Sequence, residues 1–198
     1  MFTAELPVKI ILAVLLAPLT GCAHERTPPP SVCPKAILLI RHAEKPAVIA
    51  DIHLSPEGKK RADALPDLFM KERPDPFPTP DFILATHASK HSNRAVETVT
   101  PLAKALSLKV DATYADEEYP NLVEHLCTTP KYEGKTVLIC WHHGTLPELA
   151  AKLGATSVPN KWKERVFDQV WVVTFGAMGQ NKPLVKRPQM LMSRDGME

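Results

Sequence analysis

The sequence predicts an α/β fold, a three-layer α/β/α sandwich around a mostly parallel sheet, and two observations predict it. From Ala36 onward, short apolar runs alternate with longer helical patterns. Runs such as "AILLI" and "TVLIC" are apolar without interruption, the pattern of strands covered on both faces rather than half-exposed. No internal repeat competes with this reading.

The elements follow in order. "KAILLI" is the first strand. "LSPEGKKRADALPDLFMKE" is a helix, with Ser55 as N-cap, Pro56 at the first helical position, Glu57 in the first turn and a kink expected at Pro66. "RPDPFPTP" has too many prolines for regular structure. "DFILATH" is the second strand. "SNRAVETVTPLAKALS" is a helix turning Ala95, Val96, Leu102 and Leu106 towards the sheet. A short strand "LKVDATY" and a helix "EEYPNLVEHLC" come next, despite Pro120. "KTVLIC" and "LPELAAKLG" form another strand and helix. "DQVWVVTF" and "PLVKRPQMLM" close the chain as two strands, read as an antiparallel pair.

Length and charge narrow the function. The 198 residues suit one domain with a real core, and a formal net charge of +2 with no block of like charges excludes nucleic acid as a partner. The segment before the domain reads separately. Residues 1–21 carry one lysine and an apolar run from Ile10 to Leu19, too short to span a bilayer but fit for a signal peptide. Leu19-Thr20-Gly21-Cys22 resembles the lipobox of bacterial lipoproteins, which implies lipidation at Cys22 and a membrane anchor. Ala23 after it leans towards the periplasmic face of the outer membrane. Residues 22–34 are a Pro-rich tether, and 35–198 are the domain. Export permits a disulfide. Cys33 and Cys127 are expected to meet at the N-terminal edge of the sheet, with Cys140 a buried thiol.

The chemistry is expected at the other edge, outside the C-terminal ends of the strands. "ILLIRHAEK" ends one strand in Arg41 and His42. "VLICWHHG" ends another in His142 and His143, and Arg94 begins the helix after "FILATH". Two imidazoles and two guanidiniums in one small volume need an anion, and phosphate matches the paired donors of arginine best. A surface loop would be the bland account of any one of these segments; their convergence is what argues otherwise.

These residues carry a resemblance. Arg41-His42-Ala43-Glu44 is similar to the Arg-His-Gly motif of the histidine phosphatase (phosphoglycerate-mutase-like) superfamily. "SNRAVETV" resembles its second-arginine helix, with Arg94, Ala95 and Thr98 in register, and "VLICWHHG" resembles its second-histidine strand. The resemblance spans Ala36 to Gly154. It implies a metal-independent phosphomonoester hydrolase without cofactor, acting on a small phosphorylated substrate or a phosphoprotein. His42 would be the nucleophile, with Arg41, Arg94 and His143 as the phosphate clamp. His143 takes that role because it precedes glycine. Of the acids in "YADEEY", Glu117 is the choice for general acid, against a plain helix start. Glu44 and Lys45 read as a loop ion pair, Ser92 as a helix cap, and His142 as packing beside the active histidine. Trp141 is read as core, and Trp162, Trp171 and Phe167 as core or shell.

A rival reading comes from "HASKH". His87 and His91 stand four apart and, on one helix face, would ligate a metal with His142 or His143. A non-catalytic protein binding phosphorylated ligands is the third possibility.

Overall fold

The computed structural model describes residues 1, 32–48, 50–175 and 182–196. Cys22 and the expected signal peptide and tether lie almost wholly outside the described residues. Among those described, no helix is long and apolar enough to cross a membrane.

The architecture is the expected α/β sandwich. Six strands form one sheet: β1 (Ala36–Arg41), β2 (Phe82–Ala85), β3 (Val110–Asp111), β4 (Thr136–Trp141), β5 (Gln169–Thr174) and β6 (Val185–Pro188). Their order is β3-β2-β4-β1-β5-β6. The first four are parallel, and β5 and β6 are antiparallel additions on the far side of β1.

Both faces of the sheet are dry, which explains the unbroken apolar runs. Ile37 and Leu39 of β1 pack with Leu122 and Leu126 of α4 (Tyr119–Thr128) and Leu146 and Leu149 of α5 (Leu146–Lys152). Leu38 and Ile40 point the other way, onto Leu65 just after α1 (Pro56–Ala64), Leu68 of α2 (Asp67–Met70) and Ala95 and Val99 of α3 (Arg94–Ala105). Period-two alternation sends neighbouring residues to opposite layers.

The helix signals hold with one change. Ser55 Oγ accepts from the Gly58 N–H at 3.0 Å, with Pro56 at the first position. Pro66 breaks the helix rather than bending it, so α1 stops at Ala64 and α2 is one separate turn. Ala95 and Leu102 face the sheet as expected, joined by Val99 and Ala103, while Val96 and Leu106 pack at its margin. Cys33 and Cys127 are free thiols, and burial together with the neighbouring Cys33 pushes Cys127 up to about 12. Cys140 is fully buried.

Candidate active site

Three adjacent parallel strands end at the same level. The His42 N–H donates to the Trp141 carbonyl at 3.2 Å, and the Thr86 N–H to the Cys140 carbonyl at 3.1 Å. The sheet thereby sets His42, His142 and Thr86 side by side at one edge, the place where open α/β sheets hold ligands.

Arg41, the last residue of β1, is 1% exposed. Its Nη1 donates to the carbonyls of Glu164 and Val166, the latter at 3.3 Å. Its guanidinium carbon lies 3.9 Å over the Phe167 ring, so Phe167 is a wall of the site and not merely core. Nε and Nη2 have no partner. Buried donors are costly to leave unmatched, so this free edge is a fork awaiting a bidentate acceptor. Burial holds the guanidinium down at about 10, against Glu164 and Glu44.

His42 is 3% exposed. Its Nδ1 lies 2.7 Å from the Ala43 carbonyl, which fixes the proton there and leaves Nε2 with a lone pair. Burial lowers its pKa well below 6.5, with the charges of Arg41, His142 and Arg94 adding to the effect and the Ala43 bond opposing it. The imidazole is thus neutral at physiological pH.

Arg94 arrives from the first turn of α3. The Ala43 N–H donates to Thr98 Oγ1 at 2.9 Å, and that hydroxyl donates to the Arg94 carbonyl at 2.7 Å, pinning α3 to the loop that carries His42. The guanidinium itself reaches the Asp51 carbonyl at 2.8 Å and leaves its buried Nε unpaired. Burial lowers its pKa, against Asp51 and Glu97. Asn93, not Ser92, occupies the cap position; Ser92 Oγ accepts from the Arg94 N–H at 3.4 Å.

The two adjacent histidines divide. His142 stands edge-on to His42 with ring centroids 5.4 Å apart. It lines a cavity of about 360 Å³ together with Arg94, Thr86, Asp116 and Glu117. His143 does not line that cavity; it is half-buried, with its pKa lowered to about 4 by burial and by Arg41 and Lys45. Residue spacing alone had no way to separate the two. The carboxylates divide likewise. Asp116 accepts a hydrogen bond from Thr145 Oγ1, and its pKa is raised, chiefly by burial, with Thr145, His142 and the Trp141 N–H pulling the other way and Glu117 adding to the rise. Glu117 lines the same cavity but is exposed.

Some expected features fall elsewhere. Residues 87–93 are not helical, so His87 and His91 share no helix face; both are exposed on a loop with a Ser89–Ser92 bridge. Among the described residues no group of three metal-ligating side chains comes together. Lys45 pairs with Glu164 at 3.5 Å at the surface, but Glu44 turns inward. Arg61 takes Glu44 at 2.8 Å and Asp195 at 2.9 Å in a buried triad that no sequence signal announced. A larger cavity of about 740 Å³ runs along β2 and β3 beside Tyr132, but no nucleophile and arginine pair meet there.

No protein-family model matches the chain, and no curated protein matches it. Solved structures do. The protein histidine phosphatase SixA, complexed with tungstate, aligns with a TM-score of 0.57 at 13% identity, covering 78% of this chain and 97% of its own. A mycobacterial glucosyl-3-phosphoglycerate phosphatase, complexed with VO3, aligns with a TM-score of 0.53 at 14% identity, covering 77% and 97%. These likenesses establish a shared fold.

Proposed function

We propose that this protein hydrolyses phosphomonoesters without a metal, through a phosphohistidine on His42. One observation carries the reading: a buried imidazole of lowered pKa, its Nδ1 occupied by the Ala43 carbonyl, flanked by two arginines with unpaired N–H groups. An imidazole so held is a nucleophile, and the donors suit the oxygens whose charge grows in the transition state. The phosphatases that share the fold, both seen with oxyanions, support the same reading.

In the first step His42 Nε2 bonds to phosphorus and the ester oxygen leaves, taking a proton from Asp116. Water, deprotonated by Asp116, then attacks the phosphohistidine and releases inorganic phosphate. Arg41, Arg94 and His142 hold the phosphoryl oxygens; His142 takes the place assigned to His143 because it faces His42 across 5.4 Å. Asp116 takes the place assigned to Glu117 because its burial lets it keep a proton. Phe167 also lies beside His42, ring centroids 6.4 Å apart, so the Glu164–Phe167 segment borders both residues.

The pH profile follows from the signs. His42, lowered, loses its proton well below pH 6.5, and Asp116, raised, keeps its proton above the ordinary carboxylate range. The active form is neutral His42 with protonated Asp116, so kcat/KM should peak between the two pKa values and fall as Asp116 ionises. In Asp116→Asn the alkaline limb should vanish, with alkyl phosphates losing far more rate than aryl ones. An optimum above neutrality in the unaltered protein would count against the assignment.

The anchor and compartment belong to the same proposal. Leu19-Thr20-Gly21-Cys22 supports lipid attachment at Cys22, with the domain on residues 35–198 working outside the cytoplasm. The test of the reaction is direct. The protein is mixed with phenyl phosphate in the presence of chelator and quenched in acid or alkali. Chelator-resistant turnover with an alkali-stable, acid-labile phosphoprotein is expected; neither turnover nor adduct would end this reading.

A further inference from the structure

Thr86 is 2% exposed and its hydroxyl has no hydrogen-bond partner. A buried hydroxyl left unmatched is costly, so its retention needs a cause. Its backbone is ordinary: the N–H continues the ladder to Cys140. A valine would fill the same space at this strand end without the orphan oxygen.

The surroundings supply the cause. Thr86 lines the cavity that holds Asp116, Glu117 and His142. Strand order puts β4 between β2 and β1, so Thr86 stands one strand further from His42 than His142 does. In an in-line displacement the nucleophile and leaving group lie on opposite sides of phosphorus. His42 therefore marks one end, and Asp116, which protonates the leaving oxygen, marks the other. On the side of His142 away from His42, Thr86 is set towards the alcohol end of that line. Every residue lining that cavity except Ala115 carries a polar group on its side chain, and Arg94 and Glu117 bring opposite charges to it.

We propose that Thr86 is a specificity-determining residue: its hydroxyl bonds to an oxygen of the substrate's alcohol, so that the site prefers hydroxyl-bearing alcohols over apolar ones. This rests on the phosphohistidine reading above. A site built to bond a substrate hydroxyl penalises the analogue that lacks it, because the buried group is then left unpaired.

The experiment compares glycerol 1-phosphate with propyl phosphate, of similar size but differing in hydroxyls, by release of inorganic phosphate. Phenyl phosphate and the phosphoprotein trap serve as controls for the reaction itself. The unaltered protein should favour glycerol 1-phosphate in kcat/KM. In Thr86→Val that preference should fall about ten-fold, the worth of one such bond, with propyl and phenyl phosphate changed less than about two-fold. Thr86→Ser should restore it. Equal losses on all three substrates would make Thr86 a phosphoryl contact or a packing residue and overturn the proposal. So would an unchanged preference, or turnover of phenyl phosphate alone. Failure on all substrates with no adduct would instead remove the underlying reaction, and this proposal with it.

Discussion

His42→Ala is expected to lower kcat on phenyl phosphate by on the order of 10⁴-fold or more and to abolish the phosphoprotein, while orthovanadate still binds within a few-fold of its original affinity. The split follows from geometry. On the proposed mechanism the nucleophile is one atom, Nε2 of His42, whereas anion affinity is shared among Arg41, Arg94 and His142, all of which remain. Among the described residues no other imidazole is poised to substitute: His142 lines the cavity with Asp116. Loss of a covalent nucleophile commonly removes nearly all catalysis, leaving what positioning and electrostatics supply. The measurement is steady-state kinetics with vanadate titration. If His42→Ala still carried an alkali-stable phosphoryl group, the nucleophile would have to be sought elsewhere.

Arg61→Met is expected to cost about 3–5 kcal/mol of stability, the usual penalty for removing one partner from a buried ion pair. Here the penalty has two sources. The Arg61 side chain is 7% exposed and bridges Glu44, at 15%, to Asp195, at 2%. Methionine fills much of the volume but leaves both carboxylates without a cation. The pH dependence identifies the mechanism. In the native protein Asp195 has a lowered pKa: burial alone would raise it, but hydrogen bonds from Arg61 and from the Met192 and Leu191 N–H groups outweigh that. Its stabilisation is therefore present above the unfolded carboxylate value and lost as pH falls through the folded one. In the variant the orphaned acids take up protons more readily than in the unfolded chain, so acidification should narrow the gap between the two proteins. Urea unfolding at neutral and mildly acid pH reads both effects. A gap that stays constant with pH would assign the loss to packing.

Arg61 also shows what a sequence conceals. Its role depends on Glu44, 17 positions before it, and Asp195, 134 positions after it, and neither spacing has a local signature. Pattern served well where the physics is local. Ser55, Pro56 and Glu57 state a helix start within three residues, and the fully apolar β1 and β4 state burial on both faces. The site was legible to the same degree: strands deliver Arg41, His42 and His142, and a helix start delivers Arg94. Choices between neighbours were not. His142 against His143 turns on which side chain faces the cavity, and Asp116 against Glu117 on which is the more buried, and neither follows from residue type. Phe167 reads only as core or shell in the sequence, because only the folded chain brings it over Arg41.

The position of β1 has a consequence for how the molecule comes into being. This strand is made before the other five, yet its partners are the fourth and fifth: Ala36 pairs with Thr136 on one side and Thr174 on the other. Until the ribosome has delivered about a hundred further residues, "AILLI" has nothing to pair with. The central strand thus spends most of synthesis as an unpaired apolar segment, and contacts so distant in sequence close slowly. It is during that interval that the chain is most exposed to association with other chains and most in need of a chaperone.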